Sequence, residues 1–369
     1  MKVQKATVGA DQRERWLVLG DDHLPVKPVQ QFLLHLDHLE RSPNTLAAYA
    51  YHLKAFFEFL HERRLDWMAI GVGELTDFVA WLRAGHRAGV SSIPAPRAQR
   101  SERSVNAMLA AVAAFYDFHG RIGTIQTLPL HSTQRGARRS YKPLLYGIGK
   151  TRSVKRPVLG LKTPRPPART LTRTQVEHVV RACSSLRDTF LICLLYETGM
   201  RIGQALGLRH EDVRARECVI RIIPRSQTPT RARAKTRDAY AIDVPAALMD
   251  LYIDYLTTEY GRLESDFVFV NLWKEPVGAP MTYKGVSDLF HRLSKKTGIK
   301  VTPHMLRHTH ATELIGDGWE PMLVQKRLGH ASVQTTINTY VHLPPEKLTK
   351  AYKKYLDSRN TSDGKEQDH

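Results

Sequence analysis

The sequence has few cysteines, no long apolar run and, over a long central stretch, no acidic residue. Its three cysteines, Cys183, Cys193 and Cys218, lack the spacing of metal ligands, and we interpret them as reduced structural thiols of a cytosolic protein. The longest apolar stretch, 189–196, is far shorter than the ~20 residues that span a bilayer. The N-terminus has no apolar signal-peptide core. We therefore expect neither secretion nor membrane association.

The missing acidic residues leave the charge unevenly placed. No Asp or Glu occurs between Asp117 and Glu177, whereas thirteen Arg or Lys lie there. The whole chain has 55 Lys and Arg against 36 Asp and Glu, a formal net charge of +19. Such an excess favours a polyanionic partner. We predict nucleic-acid binding, with a merely basic soluble protein as the alternative.

The N-terminal third is predicted to be helical. Residues 1–23 show no clear periodicity, and we interpret them as a loose N-terminal arm. Apolar residues at helical spacing then indicate four helices. Ser42, followed by proline, is predicted to cap the second helix, and Ser104 the fourth. The result is an all-helical domain over residues 24–122. The periodicity alone is equally compatible with an ordinary helical bundle that has no role in DNA binding.

Residues 123–169 form a basic linker in which no helical or strand pattern persists. A structureless segment of this length is usually functional or disordered. We favour an extended segment that lies along phosphate backbones over a flexible solvated linker. Its candidate DNA contacts are Arg138, Arg139 and Lys142.

The second domain is predicted to be α+β over residues 170–345, followed by a C-terminal helix and tail over 346–369. Strands at 218–224 and 239–244 flank a basic stretch, and a short strand is predicted at 266–270. The fold class is therefore mainly α with a small antiparallel β-sheet, preceded by the all-α domain. Helices are predicted at 174–183, 186–198, 202–208, 248–263, 282–297, 303–317, 320–328 and 332–340.

Four short motifs of this domain contain arginine, histidine and tyrosine in a fixed order. Arg201 follows Thr198-Gly199-Met200, and a planar guanidinium suits a phosphate oxygen. His304 and Arg307 lie three positions apart, so they share one face of a helix that begins at Thr302-Pro303. The positive end of that helix points to the same place. His330 and then Tyr340 complete the order.

This ordered set resembles the catalytic constellation of the tyrosine recombinases, which include phage-type integrases, Xer-type resolvases and transposon-borne relatives. The resemblance covers roughly residues 25–345. It implies a helical core-binding domain and a catalytic domain that form a C-shaped clamp on double-stranded DNA, with a homotetramer on two DNA sites. It allows accessory recombinases as further partners, and it implies a bacterial, nucleoid-associated protein of the cytoplasm. The long basic linker suggests a transposon-borne member.

The resemblance also implies the role of each motif residue. Tyr340 attacks the scissile phosphate and forms a 3′-phosphotyrosine, which the 5′-hydroxyl of the partner strand later attacks. Bond energy is conserved, so no ATP, metal or other cofactor is expected. The remaining roles fall to Arg201 and Arg307, which hold the phosphate charge, to His304 and His330, which assist, and to Lys235, which protonates the leaving oxygen.

Lys235 lies in the basic stretch between the two predicted strands. It is the only Lys between Arg201 and Lys274, which favours it as the general acid, although a solvated hairpin charge is the alternative. Gln204 departs from the family pattern, which commonly has an acidic residue three positions after the first Arg. This departure leaves the orientation of the site in question. Four further Arg are predicted near the DNA backbone: Arg225, Arg231, Arg233 and Arg237.

Three other functions fit parts of the pattern. His304 and His308 have the spacing of zinc ligands, but Met305 stands where a zinc protease has its glutamate base. A catalytically inert DNA-binding protein explains the charge but not the ordered motifs. A type IB topoisomerase shares the chemistry, but the helical N-terminal domain favours a recombinase.

Overall fold

The computed structural model describes residues 1–7, 14–84, 100–125, 131–134, 154–157, 159–163, 169–225 and 239–329, the two four-residue pieces by their backbone alone. The chain divides into two compact units, Met1–Arg165 and Pro166–His369. Among the helices of the described ranges, none is long and apolar enough to cross a membrane.

The described residues of the first unit form four α-helices and two pairs of strands. The helices confirm the predicted helical pattern of this region. They are α1 (Lys27–His38), α2 (Pro43–Arg63), α3 (Val72–Ala84) and α4 (Glu102–Arg121), and the strands are β1 (Lys2–Thr7), β2 (Glu14–Leu19), β3 (His131–Gln134) and β4 (Val154–Pro157).

Residues 2–7 and 14–19 form paired strands, contrary to the prediction of a loose arm. Strands β1 and β2 pair antiparallel, with Lys2 opposite Leu19 and Thr7 opposite Glu14. Val18 is 1% exposed and belongs to the core of the first unit. The strands are six residues each, and Trp16 to Leu19 are all apolar, so the period-two alternation that identifies a half-exposed strand is weak here.

Serine caps fix two of the helix starts. The Ser42 hydroxyl accepts a hydrogen bond from the backbone N–H of Thr45, which confirms the predicted cap of α2. The predicted cap at Ser104 is wrong, because Ser101 occupies that position and accepts from the backbone N–H of Ser104 at 3.3 Å. The two serines lie three residues apart, and the helix begins after the first of them.

Aromatic rings fill the core of the first unit. The Phe56 and Phe78 rings lie 5.1 Å apart at 74°, and the Phe32 and Phe115 rings lie 5.8 Å apart at 89°. Edge-to-face pairs of this kind are a favoured arrangement of aromatic side chains. The core therefore depends on the close fit of large rings.

The basic linker contains paired strands, contrary to the prediction that no strand pattern persists. Strand β3 pairs antiparallel with β4, with His131 opposite Pro157. Farther along, the Asn106 side chain bonds both backbone groups of Leu161: Nδ2 donates to the carbonyl, and Oδ1 accepts from the N–H, each at 2.8 Å. The linker thus returns to α4. Its candidate DNA contacts, Arg138, Arg139 and Lys142, lie outside the described residues.

The second unit is mainly α with a small antiparallel sheet, as predicted. The sheet has the order β5-β6-β7, and α8 continues into a π-helical turn at Leu256–Tyr260. Its elements are α5 (Arg173–Arg181), α6 (Leu186–Thr198), α7 (Ile202–Leu206), β5 (Val213–Arg214), β6 (Val219–Ile222), β7 (Tyr240–Asp243), α8 (Ala246–Tyr255), α9 (Tyr283–Thr297), α10 (Pro303–Gly316) and α11 (Pro321–Leu328).

The predicted strand at 266–270 is wrong. Phe267 and Val270 each make one isolated bridge, to Arg209 and Pro280. Their side chains are buried, so the apolar run reflects core packing and not a ladder. The predicted helix at 332–340 and the C-terminal helix lie outside the described part of the chain.

Candidate active site

The site is built around the end of α6. This helix is buried, with Phe190, Leu194 and Leu195 fully enclosed, and it ends at Gly199 with a φ of 60°. A Cβ on Gly199 would lie 2.6 Å from Cδ2 of Leu328 and 2.8 Å from Cδ2 of His310. Glycine therefore both permits the left-handed turn and lets α10 and α11 approach the end of α6 closely.

Arg307 is a buried cation held by backbone carbonyls. The predicted start of α10 is confirmed: Thr302 is the N-cap, Pro303 follows it, and the Thr302 hydroxyl accepts from the backbone N–H of Met305. Arg307 on this helix is 2% exposed. Its Nη1 donates to the Gly199 carbonyl at 2.6 Å, and its Nη2 donates to the Leu328 carbonyl at 3.0 Å.

Arg201, the residue before α7, reaches the same place. Its Nη1 donates to the Gly329 carbonyl at 3.2 Å. The guanidinium groups of Arg201 and Arg307 thus bind the carbonyls of two consecutive residues, Gly329 and Leu328. The next residue is His330. The structure therefore brings two of the predicted arginines together at the point where the chain leads into the predicted histidine.

His304 lies near both guanidinium groups. Its ring centroid is 4.2 Å from that of His308, one turn farther along α10. Desolvation, and then the positive charges of Arg307 and Arg201, lower the pKa of the His304 imidazole. Burial, followed by the charges of His304 and Arg307, lowers the pKa of His308 to about 4. His304 is consequently a neutral imidazole at pH 7 and can accept a proton.

A buried histidine, His310, supports the end of α11. Arg327 Nε donates to His310 Nε2 at 3.1 Å, and its Nη2 donates to the carbonyls of Glu197 and Asp243 at 3.1 and 3.2 Å. Burial, and then the charges of Arg327 and Arg307, lower the pKa of His310 to about 3. The neutral ring can therefore accept from Arg327. Sequence reasoning missed this arrangement, because its partners are distant in the chain.

Gln204 holds the backbone of Arg201 and contacts a residue that sequence reasoning missed. The Arg201 N–H donates to Gln204 Oε1 at 2.8 Å, and Gln204 Nε2 donates to the Tyr240 hydroxyl at 3.0 Å. Gln204 is 4% exposed. The neutral residue thus orients the backbone of Arg201 without a carboxylate.

Arg225, a predicted DNA contact, is bound by carboxylates. Its Nη1 donates to Asp212 at 2.7 Å, and its Nη2 donates to Glu211 at 2.7 Å and to Asp212 at 2.9 Å. Asp212 is 1% exposed. This arrangement anchors the chain just after β6, and the DNA contact of Arg225 stays a prediction.

The other predicted site residues lie outside the described ranges, and their roles remain predictions. No group of three or more His, Cys, Asp or Glu that could hold a metal ion occurs within the ranges that the structure describes. The undescribed residues are Lys235, Arg231, Arg233, Arg237, His330 and Tyr340.

Two family models match the chain. The phage integrase family matches residues 169–347, and the N-terminal SAM-like domain of phage integrases matches residues 29–122. Transposase A from transposon Tn554 of Staphylococcus aureus is 40% identical over 360 residues, which cover 97% of this chain and 99% of that protein. Tyrosine recombinase XerA of Saccharolobus solfataricus is 28% identical over 200 residues, 54% of this chain and 61% of that protein.

Solved structures share the fold. The integrase of transposon Tn1549 in complex with transposon right end DNA has a TM-score of 0.64 and 17% identity, with 89% of this chain and 99% of that chain covered. A lambda integrase dimer bound to a core site has a TM-score of 0.57 and 14% identity, with 85% and 94% covered. The chain therefore belongs to the phage integrase family, and it is a site-specific recombinase of the tyrosine type.

Proposed function

We propose that this recombinase is a transposase that cuts and rejoins double-stranded DNA at the ends of a mobile element. The similarity to the Tn554 transposase over nearly the full length of both chains supports this choice among recombinase functions. The net charge of +19 suits a DNA partner. A tetramer on two DNA sites, with accessory recombinases as further partners, belongs to the same proposal.

Two guanidinium groups that bind the carbonyls of consecutive residues carry the proposal. Arg201 and Arg307 are 106 positions apart in the chain, yet they bind Gly329 and Leu328 next to each other. Two fixed positive charges beside one another form a site for a phosphate group. Donors that are held before the substrate arrives need no reorganisation during the reaction, and removing one typically costs about 10²–10³-fold in rate.

The proposed reaction is a pair of phosphoryl transfers. The Tyr340 oxygen attacks the phosphorus, the bond to the 5′ oxygen breaks, and a 3′-phosphotyrosine forms. Neutral His304 accepts the tyrosine proton, and Lys235 donates a proton to the leaving 5′ oxygen. In the second transfer, Lys235 takes the proton of the partner strand's 5′-hydroxyl as its oxygen attacks the phosphotyrosine, and His304 returns its proton to the departing Tyr340 oxygen. Each step exchanges one phosphodiester for another, so the cycle requires neither ATP nor metal.

Covalent trapping tests the proposal. Wild type and Tyr340→Phe are incubated in EDTA with nicked DNA from the element's own ends and then denatured. Tyr355→Phe, a substitution of another tyrosine near the C-terminus, is the control. We expect a protein–DNA adduct from wild type and from Tyr355→Phe but not from Tyr340→Phe, because only Tyr340 completes the motif order.

The opposite results identify the alternatives. Tight DNA binding by wild type without any adduct indicates an inert DNA-binding protein. An adduct that also forms on DNA without element ends, together with relaxation of supercoiled plasmid, indicates a topoisomerase. Loss of the adduct in Tyr355→Phe with retention in Tyr340→Phe refutes the assignment of the nucleophile.

A further inference from the structure

The orientation of the Gln204 amide is determined by its partners. The backbone N–H of Arg201 is a donor, so the atom that faces it at 2.8 Å must be the carbonyl oxygen, Oε1. The NH₂ group therefore faces the Tyr240 hydroxyl, at 3.0 Å. Gln204 is 4% exposed, so the amide has no bulk solvent to bond instead.

This orientation makes the Tyr240 oxygen an acceptor. A phenol carries one hydrogen, and the bond from Gln204 leaves that hydrogen unused. Among the residues that the structure describes, Gln204 is the one hydrogen-bond partner of the Tyr240 hydroxyl. Burial raises the pKa of Tyr240, so the phenol keeps its hydrogen at neutral pH. Tyr240 is consequently a neutral O–H donor without a described acceptor.

Tyr240 also lies in the electrostatic field of the two cations of the site. The positive charges of Arg307 and Arg201 act on its hydroxyl and oppose the rise in its pKa. The residue is the first of β7, and its contact with Gln204 connects it to the backbone of Arg201. A hydroxyl donor in the field of two guanidinium groups is suited to an anion that these groups bind.

We infer that Tyr240 is a further catalytic residue whose hydroxyl donates a hydrogen bond to a non-bridging oxygen of the scissile phosphate. The inference rests on the function proposed above. The phenol stays neutral throughout, and no proton is transferred. The residue at 204 decides whether this donor is available: a carboxylate there would accept the phenol hydrogen, whereas the amide of Gln204 donates and leaves it for the phosphate.

Two substitutions test the inference in the full-length protein. Tyr240→Phe removes the donor, and Gln204→Glu keeps an acceptor for the Arg201 N–H but redirects the phenol hydrogen to itself. We expect each to slow single-turnover formation of the Tyr340 adduct by about 10–10²-fold, with little change in DNA affinity. Because both remove one interaction, the double variant should be no slower than Tyr240→Phe alone.

The matched control is Tyr260→Phe. The Tyr260 hydroxyl donates to the Ser265 carbonyl at 2.7 Å, in the same unit but without a contact to either arginine. Its loss should leave the cleavage rate within about twofold of wild type. A comparable slowing by this control would indicate a general effect of losing a buried hydroxyl and would overturn the inference.

A methylphosphonate at the scissile position separates catalysis from folding. Replacing one non-bridging oxygen by methyl removes the proposed acceptor, so the Tyr240→Phe defect should shrink on the diastereomer that lacks this oxygen. An undiminished defect on both diastereomers, or Gln204→Glu that cleaves as fast as wild type, refutes the role of Tyr240. Absence of any wild-type adduct on ordinary DNA is a different result, because it refutes the proposed function itself.

Discussion

The two units of this recombinase bury different kinds of side chain. In the described part of the first unit, His119 is the one buried polar residue, and aromatic rings fill the core. The described part of the second unit buries nine polar or charged side chains: Ser185, Arg187, Asp188, Thr198, Gln204, Asp212, Arg307, Thr309 and His310.

The difference shows how the second unit keeps cations inside. A buried charge is costly unless it is paired and hydrogen-bonded. Arg307 is held by two carbonyls, Asp212 by Arg225, and Asp188 by Arg187. Such networks fix side chains in one arrangement, whereas the first unit depends on ring packing. We infer that buried hydrogen bonds fix the side chains around the site of the second unit, whereas the packing of aromatic rings stabilises the first unit.

Of the substitutions considered, Gly199→Ala should produce the largest difference in stability between the two units. The new Cβ meets Leu328 and His310 at less than 3.0 Å, and the φ of 60° disfavours any side chain. We expect the second unit to lose about 3–5 kcal/mol of unfolding free energy, the sum of overpacking and backbone strain. Hydrogen exchange of peptides from each unit in the full chain measures the loss, and the first unit should be unaffected.

Gly298→Ala is the matched control for that substitution. Gly298 also has a positive φ, of 70°, but a Cβ there meets nothing within 4 Å. Only the backbone strain remains, so we expect a loss of about 1 kcal/mol. Equal losses from the two substitutions would show that close packing at Gly199 does not hold the second unit together.

Acid should destabilise the second unit through α10. The pKa of His310 is lowered to about 3 and that of His308 to about 4, whereas an unfolded histidine has a pKa of ~6.5. Below pH 6.5 the unfolded chain therefore binds protons that the folded unit does not. Stability is fully present above that pH and falls as pH decreases toward 4 and 3, by about 1.4 kcal/mol per pH unit for each histidine.

Hydrogen exchange between pH 7 and 5, corrected for the intrinsic exchange rate, measures this dependence. His310→Gln keeps a polar side chain but removes one titrating group, so the pH dependence of the second unit should weaken. His178→Gln, at an exposed position of α5, is the control and should preserve it. An unchanged slope in His310→Gln would contradict the assignment of this histidine as a buried neutral acceptor.

His119→Phe should have the smallest effect on stability, and it makes the core of the first unit entirely apolar among the described residues. The ring lies 4.5 Å from that of Phe115, and its Nε2 bonds the Pro28 carbonyl at 3.1 Å. Its buried Nδ1 has no hydrogen-bond partner among the described residues. Losing one hydrogen bond and one unsatisfied nitrogen should nearly cancel, for a change below about 1 kcal/mol. Hydrogen exchange of α4 measures it, and a large loss would show that the unit does depend on a buried polar contact.

Local sequence patterns predicted most of the helices but not which segments pair as strands. Helices α2 and α10 have strong start signals at Ser42 and Thr302, so their first turns were predictable. The predicted strand at 266–270 failed because a buried apolar run looks the same in a strand and in an irregular core segment. The hairpin of β1 and β2 was missed because strand pairing depends on contacts between separate segments.

The sequence by itself determined the family, since the order of Arg201, His304 and Arg307 with His330 and Tyr340 is a property of the chain. Only the tertiary structure decided how the arginines are held, because the partners of Arg307 lie 108 and 21 positions away. The contact of Gln204 with Tyr240 spans 36 positions in the same way. Hydrogen bonds between distant segments form only after the core has brought them together, so they leave no local pattern to read.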